Sequence, residues 1–253
     1  MKKIISIEKR KKGYMVSFEH ETFLVFPEVY IKHHLKPGLE LTDEDFLAFM
    51  EDHMWMTYLD MGLNKLRKMM TVQEMRTFLI EKGAKEGLVK QLIFYMIDRK
   101  YLNDMHYVKT YIELKKYQEG PLMIAHKLKD KGISDALIES YVFGYDEKQV
   151  LYTLISKKIQ SETKKSKKQT LIKLKETYLK KGFNLEIVES LLHELSHLYQ
   201  GDEKALLEKD YQKIKQKLMK HYEGYDLKKL LKEKLYQKGY ALDEIKEIMR
   251  EDE

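Results

Sequence analysis

Two hydrophobic periods divide the chain. Over residues 1–41 apolar and polar positions tend to alternate: Ile5 and Ile7 within Lys3–Ile7, then Tyr14, Val16 and Phe18, then the run Glu21–Phe26. A period of two marks half-buried strands, and Lys12-Gly13 and His20-Glu21 stand between the runs as turns, so two or three antiparallel strands are predicted. A short helix from Pro27 to Leu35 follows, ended by Lys36-Pro37-Gly38. Thr42, with Asp45 three residues on, forms a partial capping box that opens the next helix.

Beyond that point the period is helical and it returns. Four segments align on a Lys-Gly pair, at Gly83, Gly132, Gly182 and Gly239, with spacings of 49, 50 and 57 residues. Eight residues before each glycine stand Met75, Ile124, Leu174 and Leu231, and four before stand Leu79, Leu128, Tyr178 and Leu235. Six after stand Val89, Ile138, Val188 and Ile245, and nine after stand Leu92, Tyr141, Leu191 and Ile248. Every slot is apolar, so the repeat is a core pattern. About fifty residues with two breaks per unit predict three helices per repeat, and units of that size must stack on their neighbours to bury enough surface.

The clearest unit is Tyr101–Ile133. Asp104 is its expected cap, Tyr107, Tyr111 and Leu114 recur at helical spacing, and Gly120-Pro121 ends one helix and opens the next. Ile124 and Leu128 form a stripe that Lys131-Gly132 closes, glycine being free to take the left-handed conformation after a helix. The fold class is therefore mainly α, tandem three-helix repeats behind a small β-rich extension. The expected divisions are 1–50 for the extension, then repeats at 51–102, 103–147, 148–200 and 201–253. Thr71 with Glu74 gives a full capping box in the first repeat, and Asp226 is the expected second cap in the fourth.

Composition sharpens this. Charged residues make up 35% of the 253, with three prolines, as in a surface-rich helical protein. The net charge is +6, suited to nucleic acid or another anionic partner. The excess is local: residues 151–200 carry ten basic and five acidic side chains. The absence of cysteine excludes a disulfide scaffold and thiolate metal sites and fits a reducing compartment. The N-terminal run is too short in apolar residues for a signal peptide, and no 18-residue apolar stretch exists, so a cytoplasmic chain without a membrane partner is expected.

Most chemical motifs are missing. There is no phosphate-binding glycine loop, GxSxG elbow or cysteine nucleophile, so no enzyme activity, cofactor or metal site is expected. His193-Glu194-Leu195-Ser196-His197 matches HExxH, which on one helix would place two imidazoles for zinc. It trails off the end of a third helix, with no third ligand at a familiar spacing, and reads as surface histidines. His33-His34 reads as exposed residues on a short helix. The run Lys164, Lys165, Lys167 and Lys168, extended by Lys157, Lys158, Lys173 and Lys175, can pair with phosphates regardless of sequence, or be a solvated face. Tyr117, beside Lys115 and Lys116, is the tyrosine best placed to stack on a base, whereas Tyr107, Tyr111 and Tyr141 suit helix packing. Arg67 and Lys68 complete the candidate partner- or DNA-binding set.

Tyr101-Leu102-Asn103-Asp104, Tyr107, Tyr111, Gly120-Pro121, Ile124, Leu128 and Lys131-Gly132-Ile133, with Glu74–Leu79 and Lys82-Gly83 upstream, resemble the RecX family of bacterial recombination regulators. The strand-rich start is similar to the extension of longer family members from Gram-positive bacteria. The resemblance implies a curved, elongated rod of repeats that binds the groove of the RecA–single-stranded-DNA filament. It implies non-catalytic modulation, expected to be inhibitory, of recombinase, ATPase and co-protease activity in recombination, DNA repair and the SOS response. The implied partners are the RecA filament and single- and double-stranded DNA, and the chain is expected to be a monomer. The chain departs from the family in relying on lysine, with arginine only at 10, 67, 76, 99 and 250; lysine supplies charge without bidentate geometry. The alternative is a helical-repeat protein acting on DNA without RecA, against which stands the apolar character of third helices such as Lys85–Arg99.

Overall fold

Strands are confined to the first 41 residues of the computed structural model, which describes residues 1–251. β1 (Lys2–Lys3) pairs with β5 (Glu40–Leu41), and β2 (Ser6–Arg10), β3 (Gly13–Ser17) and β4 (Thr22–Val25) form an antiparallel sheet in that order. Ile7 lies opposite Val16, and Val16 opposite Phe23. Ile4, Val16, Phe18, Val25 and, from α1 (Pro27–Lys32), Val29 pack against Phe49 of α2 (Asp43–Lys65) in one core.

Thr42 caps α2 with a full box, its Oγ1 accepting from the Asp45 N–H at 3.1 Å. No glycine or proline interrupts the next nineteen residues, so the helix runs straight through the boundary drawn at residue 50. One helix serves two cores: Phe49 belongs to that of the sheet, Tyr58 and Leu59 to that of the helices that follow.

Those helices come in threes. α2 is followed by α3 (Val72–Glu81) and α4 (Glu86–Asp98). Then come α5 (Asp104–Lys115), α6 (Pro121–Asp130) and α7 (Asp135–Tyr141), and α8 (Glu147–Ser161), α9 (Lys167–Lys180) and α10 (Leu185–Leu195). The last are α11 (Glu203–Leu218), α12 (Gly224–Gln237) and α13 (Leu242–Glu251); positions 252–253 of the fourth expected repeat lie outside the described residues. Each middle helix ends on its Lys-Gly pair, and the glycines take φ of +92°, +77°, +85° and +92°. Of the repeating apolar slots only Tyr141 and Ile248 are not fully buried; each buried one contributes about 1.5–3 kcal/mol. Two caps differ from expectation. Asn103, not Asp104, caps α5, accepting from the His106 N–H at 2.9 Å. Asp104 instead accepts from the Val72 N–H at 2.8 Å. Asp226 lies inside the first turn of α12, whose cap position is Glu223.

The chain divides into two units, Met1–Tyr107 with Lys131–Ile133, and Val108–Asp130 with Ser134–Glu253. In the second unit the Lys-Gly pairs are joints as well as stops. The Lys181 carbonyl, at the end of α9, accepts from the Gly120 N–H at the start of α6 at 2.7 Å, and the Gly182 carbonyl from the Leu122 N–H at 3.1 Å. The Lys238 carbonyl, at the end of α12, accepts from Ser166 Oγ, the cap of α9, at 2.6 Å. Carbonyls orphaned at one helix end thus meet donors at the start of another, with the two dipoles in register. A Cβ on Gly182 would lie 2.6 Å from Met123 N, and one on Gly239 2.9 Å from Lys168 Cβ. In the first unit the Lys131 carbonyl accepts from Thr71 Oγ1, the cap of α3, at 2.7 Å.

Candidate nucleic-acid interface

α8 and α9 build a cationic cleft from two helical stripes. On α8, Leu154, Lys157, Lys158 and Ser161 stand at intervals of three, one and three, and on α9 Thr170, Lys173, Leu174, Thr177 and Lys181 at intervals of three, one, three and four, each set on one side of its helix. Ile155 and Ile159 of α8 face the core of the unit and so turn Lys157 and Lys158 outward. Ser166 caps α9 through the Gln169 N–H, at 3.3 Å, which fixes where Lys173 and Lys181 emerge. The cleft measures about 600 Å³, with Leu174 and Tyr178 as its apolar floor.

Five lysines, Lys157, Lys158, Lys165, Lys173 and Lys181, line this cleft against one carboxylate, Glu162. Lys165 Nζ lies 3.3 Å from Glu162 Oε2 and within hydrogen-bonding reach of Lys173. The Lys165 ammonium holds Lys173 below the usual lysine range, while hydrogen bonds to Lys173 and Glu162 push Lys165 up. Burial acts to raise the Glu162 carboxyl, but the Lys164 N–H and the Lys165 ammonium outweigh it and hold it low. Lys181 Nζ stands 5.7 Å from the Tyr178 ring centroid. Cations crowded this closely favour any anion that can sit between them, and a phosphate oxygen is such an anion.

The basic run read from the sequence is therefore not one strip. Lys157, Lys158 and Lys165 enter the cleft. Lys164 is exposed outside it, its N–H bonded to Glu162 Oε1 at 3.1 Å. The Lys167 N–H is bonded to Glu203 at 3.0 Å, and Lys168 lies over the Tyr236 ring, 5.2 Å from its centroid. The split has a physical cause: the buried Ser166 starts α9 inside the run, so Lys167 and Lys168 take helical positions while Lys164 and Lys165 stay in the connection before it. Lys175 pairs with Glu189. At the end of α5, Lys116 pairs with Glu113 at 2.6 Å and lies 5.5 Å from the centroid of the exposed Tyr117 ring, beside Lys115 and apart from the cleft lining. Arg67 and Lys68 are exposed in the turn after α2, in the first unit. Lys181 was hidden by its role in a Lys-Gly stop; its spacing of eight from Lys173, two helical turns, is the signal that points to it.

The HExxH match breaks at the helix end. α10 stops at Leu195, Ser196–Leu198 is a 3-10 turn, and His197 Nδ1 sits 2.8 Å from the Glu194 carbonyl oxygen, so the two exposed imidazoles leave their common face. Among the described residues no three His, Cys, Asp or Glu side chains gather as a metal site. His33 is not the exposed residue expected: only 13% of its side chain is accessible, and Nε2 lies 2.7 Å from Asp52 Oδ2.

No family model matches the chain. A regulatory protein RecX from Bacillus cereus, however, is 30% identical over 246 residues, 93% of this chain and 90% of the relative. The chain belongs to the RecX family. The regulatory protein RecX of Streptococcus uberis is 28% identical over 98% of this chain and 99% of its own length. A crystal structure of a regulatory protein RecX shares the fold with a TM-score of 0.57 and 21% identity, covering 76% of this chain and 98% of that one. RecX from Lactobacillus salivarius gives a TM-score of 0.51 at 25% identity over 56% of this chain and 96% of its own. The RecX relatives are regulatory proteins by name, and among the described residues here no helix is long and apolar enough to cross a membrane.

Proposed function

We propose that this RecX-family protein is a non-catalytic regulator that binds the RecA–single-stranded-DNA filament and lowers its recombinase, ATPase and co-protease activity. The observation that carries the reading is the five-lysine cleft of α8 and α9, set in a repeat protein whose relatives are named regulators. Ammonium groups on flexible stems suit phosphates at many registers, which matches a ligand of arbitrary sequence. A chain of repeats suits a filament, since weak contacts spread over several repeats reinforce one another. Direct DNA reading without RecA has less support: α4 buries Val89, Leu92, Ile93 and Met96, leaving little polar face for bases.

The test is binding to RecA-coated single strands across a salt series. Reversing Lys157, Lys158, Lys165 and Lys173 to Glu should weaken binding and flatten the dependence on salt by about three in log–log slope, at roughly 0.7 per lost contact. An unchanged slope would remove the cleft from the interface, and equal affinity for bare and RecA-coated strands would favour the DNA-only alternative.

A further inference from the structure

The outer face of α12 is a second cationic surface, and unlike the α8–α9 cleft it carries exposed rings. Tyr225, Lys228, Lys229, Lys232 and Tyr236 follow at intervals of three, one, three and four, which sets them on one side of the helix. Leu231 and Leu235, on the other side, are buried and anchor α12 to its core. Tyr225 is 80% exposed and Tyr236 50%. The two tyrosines and three lysines, with Leu242 and Met249, line a groove of about 450 Å³ in which Glu233 is the one acid. Lys168 reaches this face from α9 and stands 5.2 Å from the Tyr236 ring centroid, holding that ring from one side.

We infer that this face binds unpaired nucleotides, with bases stacked on Tyr225 and Tyr236 and the linking phosphates paired with Lys228, Lys229 and Lys232. The two tyrosines lie eleven residues apart, about 16 Å along the axis, room for several nucleotides between stacked ends. Stacking needs a free base face, so the rings distinguish a single strand from a duplex, which lysines alone cannot do. A membrane surface fits less well. A helix lying in a lipid interface turns a broad apolar face outward, whereas the leucines of α12 face inward and lysines separate its rings. The inference goes beyond the RecA reading, because it needs no partner protein, and it is tested without one.

The experiment measures binding of the full chain, without RecA, to a labelled twelve-nucleotide single strand, the matching duplex and vesicles of anionic phospholipid. Replacing Tyr225 and Tyr236 together by Ala should weaken single-strand binding roughly twenty-five-fold or more, at about fivefold or more per lost stack. Duplex binding and the salt slope should hold. The Tyr225→Phe, Tyr236→Phe pair should restore wild-type affinity, since phenyl rings stack without the hydroxyl. Lys228→Glu with Lys232→Glu should lower the salt slope. Matching thermal melts would show that the variants fold. Equal losses on single strand and duplex, no loss on the Ala variant, or ring-dependent binding to vesicles with none to the single strand would each overturn the inference, and none of them touches RecA regulation.

Discussion

At the residue scale, two positions set the terms. Gly182 has φ of +85° and a backbone nitrogen 2.6 Å from where a Cβ would sit, whereas Gly38, at +79°, faces open space. Both lose about 1–2 kcal/mol to left-handed strain on substitution by Ala, but only Gly182→Ala must also push apart the α9–α6 joint. Urea titration should show Gly182→Ala costing at least about 1 kcal/mol more than Gly38→Ala; equal midpoints would mean the joint yields freely. His53 is the second position. It is buried on α2 between Phe23 and Phe49, at 5.2 and 6.0 Å between ring centroids, and its Nδ1 has no hydrogen-bond partner. Burial lowers its proton affinity below the usual histidine value of 6.5. The unfolded chain then binds the proton more readily, so stability is whole above pH 6.5 and falls as pH drops toward the folded value, by at most about 1.4 kcal/mol per pH unit. Urea midpoints at pH 7.5 and 5.5 should converge in His53→Gln; an undiminished gap would place the pH dependence elsewhere.

At the scale of elements, the Lys-Gly pairs carry more than their sequence discloses. Their spacing and the apolar slots around them disclosed the helices, because burial fixes both. What the pairs touch was not legible, since the joint partners Thr71, Gly120 and Ser166 lie 60, 61 and 72 residues from the lysines whose carbonyls they meet. The same limit explains the cleft. Lys157, Lys158 and Lys165 were visible as a basic run, but its division at Ser166 depends on where a helix starts, and that start is fixed by a contact with a later repeat. Asp104 and Asn103 exchanged roles for a like reason: a carboxylate one residue into the helix found a better donor in Val72. Ser166→Ala should cost about 2–4 kcal/mol, combining a lost cap with a buried carbonyl left without its donor. Ser134→Ala, an exposed cap on α7, should cost about 1 kcal/mol in the same urea assay. Equal costs would mean that the Ser166–Lys238 bond adds nothing.

At the scale of the whole molecule, the charge arrangement and the family membership point the same way. A net +6 concentrated on residues 151–200 gives a chain of repeats with one strongly cationic stretch, which suits a polyanionic filament more than a small acidic ligand. Because Lys173 is held below the usual lysine range by Lys165, it is the cleft lysine that loses its proton early as pH rises. Filament affinity should therefore begin to fall on the alkaline side before ordinary lysines titrate, and Lys173→Arg should remove that early fall. Fluorescence anisotropy across a pH series reads this directly; identical profiles for the two proteins would place the cleft away from the phosphates. The central claim is tested most directly by the single-strand-dependent ATPase of the cognate RecA with this protein titrated in. A decrease at substoichiometric amounts is the predicted result, whereas an unchanged rate would contradict it.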